Sequence, residues 1–300
     1  MLLTACGGGG SAPSQIPPDA VLLSERVFVD SSRPTPPNGG VPGRPDRTLA
    51  TRIWIAPEPL EAPACRGPRC ALVLLAHGFG GNTGRFDTVA RGLAAAGYVV
   101  AAPAFPLTND RAPGGHTTGL ADAVEQPADL SFVIDRLIEL SDSDDDALSG
   151  RIDSGRIGAV GHSLGGATVL GLTRRPCCHD DRIGASALVA PVTALVEAFF
   201  GGYPSPDGPA LLVVNGSLDP VVPPDVSREL YRRTAPPHAL LVLTGASHSD
   251  LVEDTGPPAL LDPTIRVLRA FFDRALGERD ELAGVLADLA DSGEEVASEP

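Results

Sequence analysis

The sequence predicts an α/β domain: a mostly parallel central sheet covered by helices on both faces. Two observations carry that expectation. Residues 70–76, 98–103 and 210–215 are short, almost wholly apolar runs, as expected of strands buried on both sides. Segments with helical spacing alternate with them, clearest at 127–140, where Leu130, Val133, Ile134, Leu137 and Ile138 share one face. Strand-then-helix alternation calls for crossover connections and hence parallel pairing.

The elements follow in order. Residues 1–20 read as a tether, 21–277 as the domain and 278–300 as an acidic tail. Residues 21–30 and 49–56 have strand patterning, separated by a Pro- and Gly-rich turn region; the second holds the only tryptophan, Trp54. After the strand at 70–76, residues 86–96 have helical spacing and stop at Gly97. Further strands are expected at 156–160, 185–190, 210–215 and 239–244, with a closing helix at 265–276. In the tail, Leu282, Val285, Leu286 and Leu289 fall at helical spacing, so a loosely docked helix that frays is expected there.

Composition narrows the partners. The 300 residues are 43% hydrophobic, enough for a sizeable core, and carry a net charge of −15. Such a balance argues against nucleic acid or an anionic membrane surface as a partner. A monomer is expected. All 23 basic residues are arginines, from which nothing mechanistic follows.

Leu3-Thr4-Ala5-Cys6 is similar to a bacterial lipobox, whose cysteine is acylated, and the Gly/Ser/Pro stretch after it suits a flexible tether. Only five residues precede Cys6, too few for a full signal sequence. The reading is a truncated lipoprotein signal, with membrane attachment through lipidated Cys6 and a cell-surface or secreted, extracytoplasmic location. The other four cysteines, Cys65, Cys70, Cys177 and Cys178, allow three disulfide pairings. Cys65 with Cys70 would close a short loop, whereas adjacent Cys177 and Cys178 are expected to seek other partners. Cys177-Cys178-His179-Asp180 is a poor metal site, because adjacent ligands rarely suit one tetrahedral ion. No metal is expected.

The most informative segment is Gly161-His162-Ser163-Leu164-Gly165-Gly166. An apolar strand precedes this G-x-S-x-G pattern and a helix of small and aliphatic residues follows it. A sharp strand-to-helix turn forces its central residue into a strained backbone and needs glycines beside it. Ser163 would then stand at a helix N-terminus, where backbone potential favours an oxyanion.

A serine hydroxyl needs a base, and the base an orienting acid. The strand at 210–215 runs into Gly216-Ser217-Leu218-Asp219, and that at 239–244 into Gly245-Ala246-Ser247-His248. Both candidates therefore fall at carboxyl strand ends, where reactive groups of parallel sheets gather. Asp225, Asp250 and Asp254 are the weaker acids. His162 should point away from the line of attack, and His77 should stiffen the loop after its strand. His116, His179 and His238 read as solvated loop histidines. The N–H of Leu164 and that of Phe79, in His77-Gly78-Phe79-Gly80-Gly81, are the candidate oxyanion donors. Residues 104–125 leave a strand's carboxyl end, so Phe105 and Leu107 are expected, with Phe79 and Val192, to line the substrate pocket.

Residues 27–275 resemble the α/β-hydrolase superfamily, most closely bacterial platelet-activating-factor-acetylhydrolase-like and dienelactone-hydrolase-like esterases. The resemblance lies in the six residues from Arg52 to Pro57, the glycine loop from His77, the segment from Gln126 to Val133, the 161–166 turn, and the loops of Asp219 and His248. Polyester hydrolases and cutinase-like lipases share both glycine motifs. The resemblance implies ester hydrolysis through an acyl-enzyme with no cofactor, on a small-molecule or polymeric ester. Two features depart from it. Dienelactone hydrolases use a cysteine where Ser163 stands, and polyester hydrolases carry a tryptophan that Ala190-Pro191-Val192 lacks. A non-catalytic binding lipoprotein is the remaining alternative.

Overall fold

The computed structural model describes residues 15–300, so the lipobox and most of the tether, Cys6 included, lie outside it. Ten strands form one sheet: β1 (Leu22–Asp30), β2 (Arg47–Ile55), β3 (Cys65–Arg66), β4 (Arg69–Ala76), β5 (Val99–Pro103), β6 (Ile152–His162), β7 (Ile183–Val189), β8 (Ala210–Gly216), β9 (His238–Leu243) and β10 (Glu295–Glu299). The spatial order is β1-β2-β5-β4-β6-β7-β8-β9-β10, with β3 paired to β4. Along the order β5-β4-β6-β7-β8-β9 every pairing is parallel. Antiparallel strands close both edges, β1 and β2 at one and β10 at the other.

The helices are α1 (Asp87–Ala94), α2 (Gln126–Asp142), α3 (Leu164–Arg174), α4 (Thr193–Phe200), α5 (Pro224–Arg233), α6 (Pro258–Ala275) and α7 (Leu282–Asp291). Alternation along a strand sends successive side chains to opposite faces. In β4, Ala71, Val73 and Leu75 enter one apolar cluster with Val89, Leu93, Leu268 and Phe271 of α1 and α6. Leu72 and Leu74 enter the other, with Leu130 and Val133 of α2, Leu170 of α3 and Val196 of α4. Both faces of the central strands are thus buried, which is why their sequences are apolar throughout. Trp54 is fully buried in the first cluster and donates Nε1–H to Asp87 at 2.8 Å, joining β2 to α1.

Two expectations need correction. The acidic tail does contain a helix, with Leu282, Leu286 and Leu289 buried, but it ends as β10 rather than fraying. Glu295 pairs with Val242 and Glu299 with His238, while Arg228 Nε donates to Glu295 at 2.7 Å. An edge strand with one solvated face needs little apolar sequence, so Glu295–Glu299 gave no strand signal. Cys65 bonds to Cys70, as the short-loop reading allows, but Cys177 bonds to Cys178 and not to distant partners. With Cys65 and Cys70 joined, no other cysteine among the described residues is left to pair with either.

Candidate active site

The turn between β6 and α3 holds Ser163 at φ 55° and ψ −115°, a left-handed conformation that costs a non-glycine residue energy. The surroundings enforce it. Ser163 N–H donates to Val189 of β7 at 3.0 Å, and its carbonyl accepts from Gly166 at 3.0 Å and Val192 at 3.3 Å. A Cβ on Gly165 would stand 2.0 Å from the carbonyl oxygen of Ala76, and one on Gly161 would stand 2.3 Å from that of Gly165. Only glycine lets β4, β6 and α3 approach so closely. Ser163 is 9% exposed.

Beside it runs the loop that leaves β4. A Cβ on Gly78 would lie 3.1 Å from Ser163 Cβ, so this backbone passes directly against the nucleophile candidate. Gly80 takes φ +68° and donates its N–H to Thr108 at 2.8 Å. Among the described residues, neither the Phe79 amide nor the Leu164 amide has a hydrogen-bond acceptor. Leu164 opens α3, where the first N–H groups lack intrahelical partners and carry the positive end of the helix dipole.

Asp219 and His248 meet from the ends of β8 and β9. His248 Nδ1 lies 2.7 Å from Asp219 Oδ2, whose side chain is fully buried. The other oxygen of Asp219 accepts the N–H groups of Val221 and Val222, both at 2.8 Å. A carboxylate so held accepts the hydrogen bond of His248 Nδ1–H, which keeps the proton on Nδ1 and leaves Nε2 with its lone pair, as a general base requires. The two loops are knitted together: Ser217 N–H donates to Leu243 and Leu218 N–H to Ala246, each at 2.9 Å. Ser163 Oγ makes no hydrogen bond to a described side chain; contacts of this kind often tighten only when substrate is bound.

Two further histidines are buried here, and their proton positions follow from their partners. Phe105 N–H donates to His77 Nε2 at 3.1 Å, so Nδ1 carries the proton toward the Gly78 carbonyl, 2.8 Å away. His162 Nε2 lies 3.0 Å from the His248 carbonyl and must donate to it, with the two rings 4.8 Å apart. Burial lowers His77 to about 4. Burial, and then the neighbouring His248, lowers His162 to about 4. Both stay neutral at neutral pH. His77 stiffens its loop as expected, and His162 supports the His248 backbone.

Several expected residues lie elsewhere. Phe105 is 0% exposed and packs on His77 at 4.9 Å, so it belongs to the core and not to a pocket lining. Leu107 is 3% exposed and borders a separate cleft of about 450 Å³ whose lining includes none of Ser163, Asp219 and His248. Val192 is half-buried and bonded to the Ser163 backbone, whereas Phe79 is 41% exposed. Of the weaker acids, Asp225 pairs with Arg228, Asp250 accepts from Ser247 N–H and Asp254 from Thr88 N–H.

Two of the loop histidines are misplaced by a solvated reading. His238 is buried in β9 and stacks on Tyr231 at 4.1 Å. His116 sits edge-on to Phe79 at 5.1 Å, and a Cβ on Gly80 would meet it at 2.8 Å. His116 is thus part of the wall beside the site. Its one sequence signal is a place in the segment leaving β5. Glu253 was also missed: it takes Arg85 at 3.1 Å and ties the His248 loop to the segment after β4.

No protein-family model matches this sequence, and no curated protein sequence matches it either. Among solved structures, the chain is similar to a ferulic acid esterase from Streptomyces cinnamoneus, with a TM-score of 0.63 and 22% identity. The match covers 90% of this chain and 93% of the other. Sheet order, crossovers and strand-to-helix turn agree on the architecture: the chain has an α/β-hydrolase fold.

Proposed function

We propose that the protein is a serine ester hydrolase that cleaves short- to medium-chain acyl esters. The observation that carries this reading is the Asp219–His248 pair, whose histidine lies against His162, the neighbour of a strained serine that has two unpartnered N–H groups next to it. In the proposed reaction, Ser163 Oγ attacks the ester carbonyl while His248 Nε2 takes its proton. The N–H groups of Phe79 and Leu164 stabilise the negative charge that develops on the carbonyl oxygen. Asp219 holds the imidazole tautomer and stabilises the imidazolium that forms. His248 returns the proton to the leaving alkoxide, and the alcohol departs from an acyl-enzyme. Water then attacks the acyl group, gives its proton to His248, and Ser163 leaves with that proton restored. No cofactor is required. The ferulic acid esterase neighbour supports ester chemistry, and the two disulfides support an extracytoplasmic location.

A second reading, a secreted polyester hydrolase or lipase, draws on exposed apolar side chains around the site. Phe79 is 41% exposed, and Leu218 and Val221, which flank Asp219, are 67% and 61% exposed. Clearing of an emulsified polyester separates it from the first. For both, Ser163→Ala should lower kcat on p-nitrophenyl esters by about 10³-fold or more. Undiminished turnover in that variant would remove Ser163 from the mechanism. An acyl-chain-length series on the wild type then ranks the substrates.

A further inference from the structure

The stretch from Gln126 to Val133 begins α2 and contributes nothing to the triad, yet its first residue sits in an unusual place. Gln126 is 0% exposed. Its Nε2 donates to Thr108 Oγ1 at 2.7 Å, and its Oε1 accepts from Thr168 Oγ1. Thr108 and Thr168 are 0% and 1% exposed. Each end of this buried chain stops at a piece of the site. The Thr108 carbonyl accepts the N–H of Gly80, next to Phe79. Thr168 lies one turn into α3, with its Oγ1 3.2 Å from the Leu164 carbonyl.

The start of α2 is itself held firmly. Arg47 of β2, fully buried, reaches Asp122 at 2.8 Å and Asp129 at 2.7 Å, on either side of Gln126. Burying a primary amide costs free energy unless its hydrogen bonds are made, so a polar bridge here is no gain over an apolar filler of the same shape. What it adds is direction. Hydrogen bonds fix distance and angle between two elements, where apolar packing tolerates sliding.

We propose that Gln126 is a positioning residue for the oxyanion site, setting the separation between the N–H groups of Phe79 and Leu164. This rests on the esterase reading. The carbonyl oxygen moves as it becomes tetrahedral, and donors placed for that later position favour the transition state over bound substrate. Loosening the bridge should therefore lower kcat and leave KM nearly unchanged.

The test uses Gln126→Leu and the near-isosteric Thr168→Val, with active sites counted by exhaustive fluorophosphonate labelling. A misplacement near 1 Å costs up to about 10²-fold, so kcat per site on p-nitrophenyl butyrate should fall about 10- to 100-fold in Gln126→Leu, and less in Thr168→Val. KM should stay within about twofold, and affinity for a trifluoromethyl ketone, which mimics the tetrahedral adduct, should weaken in parallel with kcat/KM. Should Gln126→Leu prove insoluble, Thr168→Val carries the same comparison. Unchanged kcat per site, or a loss confined to KM or to melting temperature, overturns the proposal and leaves Gln126 as structural packing. Failure of the esterase reading looks different: the wild type would neither turn over the ester nor take the label, and this proposal would fall with it.

Discussion

The two sides of the proposed oxyanion site are built by opposite means. The Ser163 side is a local object, in which six consecutive residues make the turn and its glycines are demanded by backbone contacts within 3 Å. The Phe79 side is assembled from distant stretches. Gly80 hangs on Thr108, a bridge joins Gly81 to Asn109, His116 covers Phe79, and Asn38 braces the segment behind them. A turn whose constraints are sequence neighbours can be read from a hexapeptide. A wall whose constraints lie up to 80 residues apart cannot.

The local side should be the more brittle. In Gly165→Ala the new Cβ would stand 2.0 Å from the Ala76 carbonyl oxygen and 2.8 Å from that of His77, both backbone atoms with no rotamer to escape into. Overpacking of this kind costs about 3 kcal/mol or more. Urea unfolding should show that loss, together with collapse of activity, since Leu164 is the adjacent residue. Wild-type stability in this variant would mean that the β4–α3 approach is loose, and the contrast between the two sides would fail.

The same contrast explains what could be read in advance. Strands β4, β5 and β8 were legible because both their faces are buried, so their apolar runs are unbroken. The meeting of Asp219 and His248 was legible because each follows such a strand at its carboxyl end. Phe105 was misread, since an aromatic just beyond a strand is equally suited to a pocket or to the core. Contact with His77, 28 residues away, puts it in the core. β10 was missed because its stability comes from pairing with β9 and from Arg228, neither of which leaves a mark on its own residues.

His77 joins the two sides, reaching from the end of β4 to the Phe105 backbone, and it makes the contrast sensitive to pH. The unfolded chain takes up a proton on each histidine near 6.5, while folded His77 and His162 resist until about 4. Their contribution to stability is therefore complete above pH 6.5 and is lost as pH falls from 6.5 toward 4. At pH 5 the loss is roughly 2 kcal/mol for each histidine. Protonated His77 could no longer accept the Phe105 N–H. Melting temperatures from pH 7.5 to 5 should fall, and less steeply in His77→Gln, whose amide can both accept and donate. An equal slope in wild type and variant would show that His77 does not titrate across this window.

The smallest expected effect is on the distant brace. Asn38 Nδ2 donates to the carbonyls of Pro113 at 2.6 Å and Gly115 at 2.8 Å, and its Oδ1 accepts from Thr118 at 2.6 Å. His116 lies between these anchor points, and the backbones pack so closely that a Cβ on Gly39 would stand 2.0 Å from the Gly114 carbonyl. Asn38→Ala removes the side-chain bonds without adding bulk. Asn38 is buried, but its partners Pro113, Gly115 and Thr118 are exposed and can turn to water, which should limit the cost to about 1–2 kcal/mol, a few degrees in melting temperature. The wall should nevertheless loosen over Phe79, so KM for esters should rise a few-fold while kcat changes less. That is the reverse of the pattern expected for Gln126, which acts on the donors themselves. A kcat loss in Asn38→Ala as large as that of Gln126→Leu would show that wall and donors move as one body, and the distinction between a local and an assembled side would no longer hold.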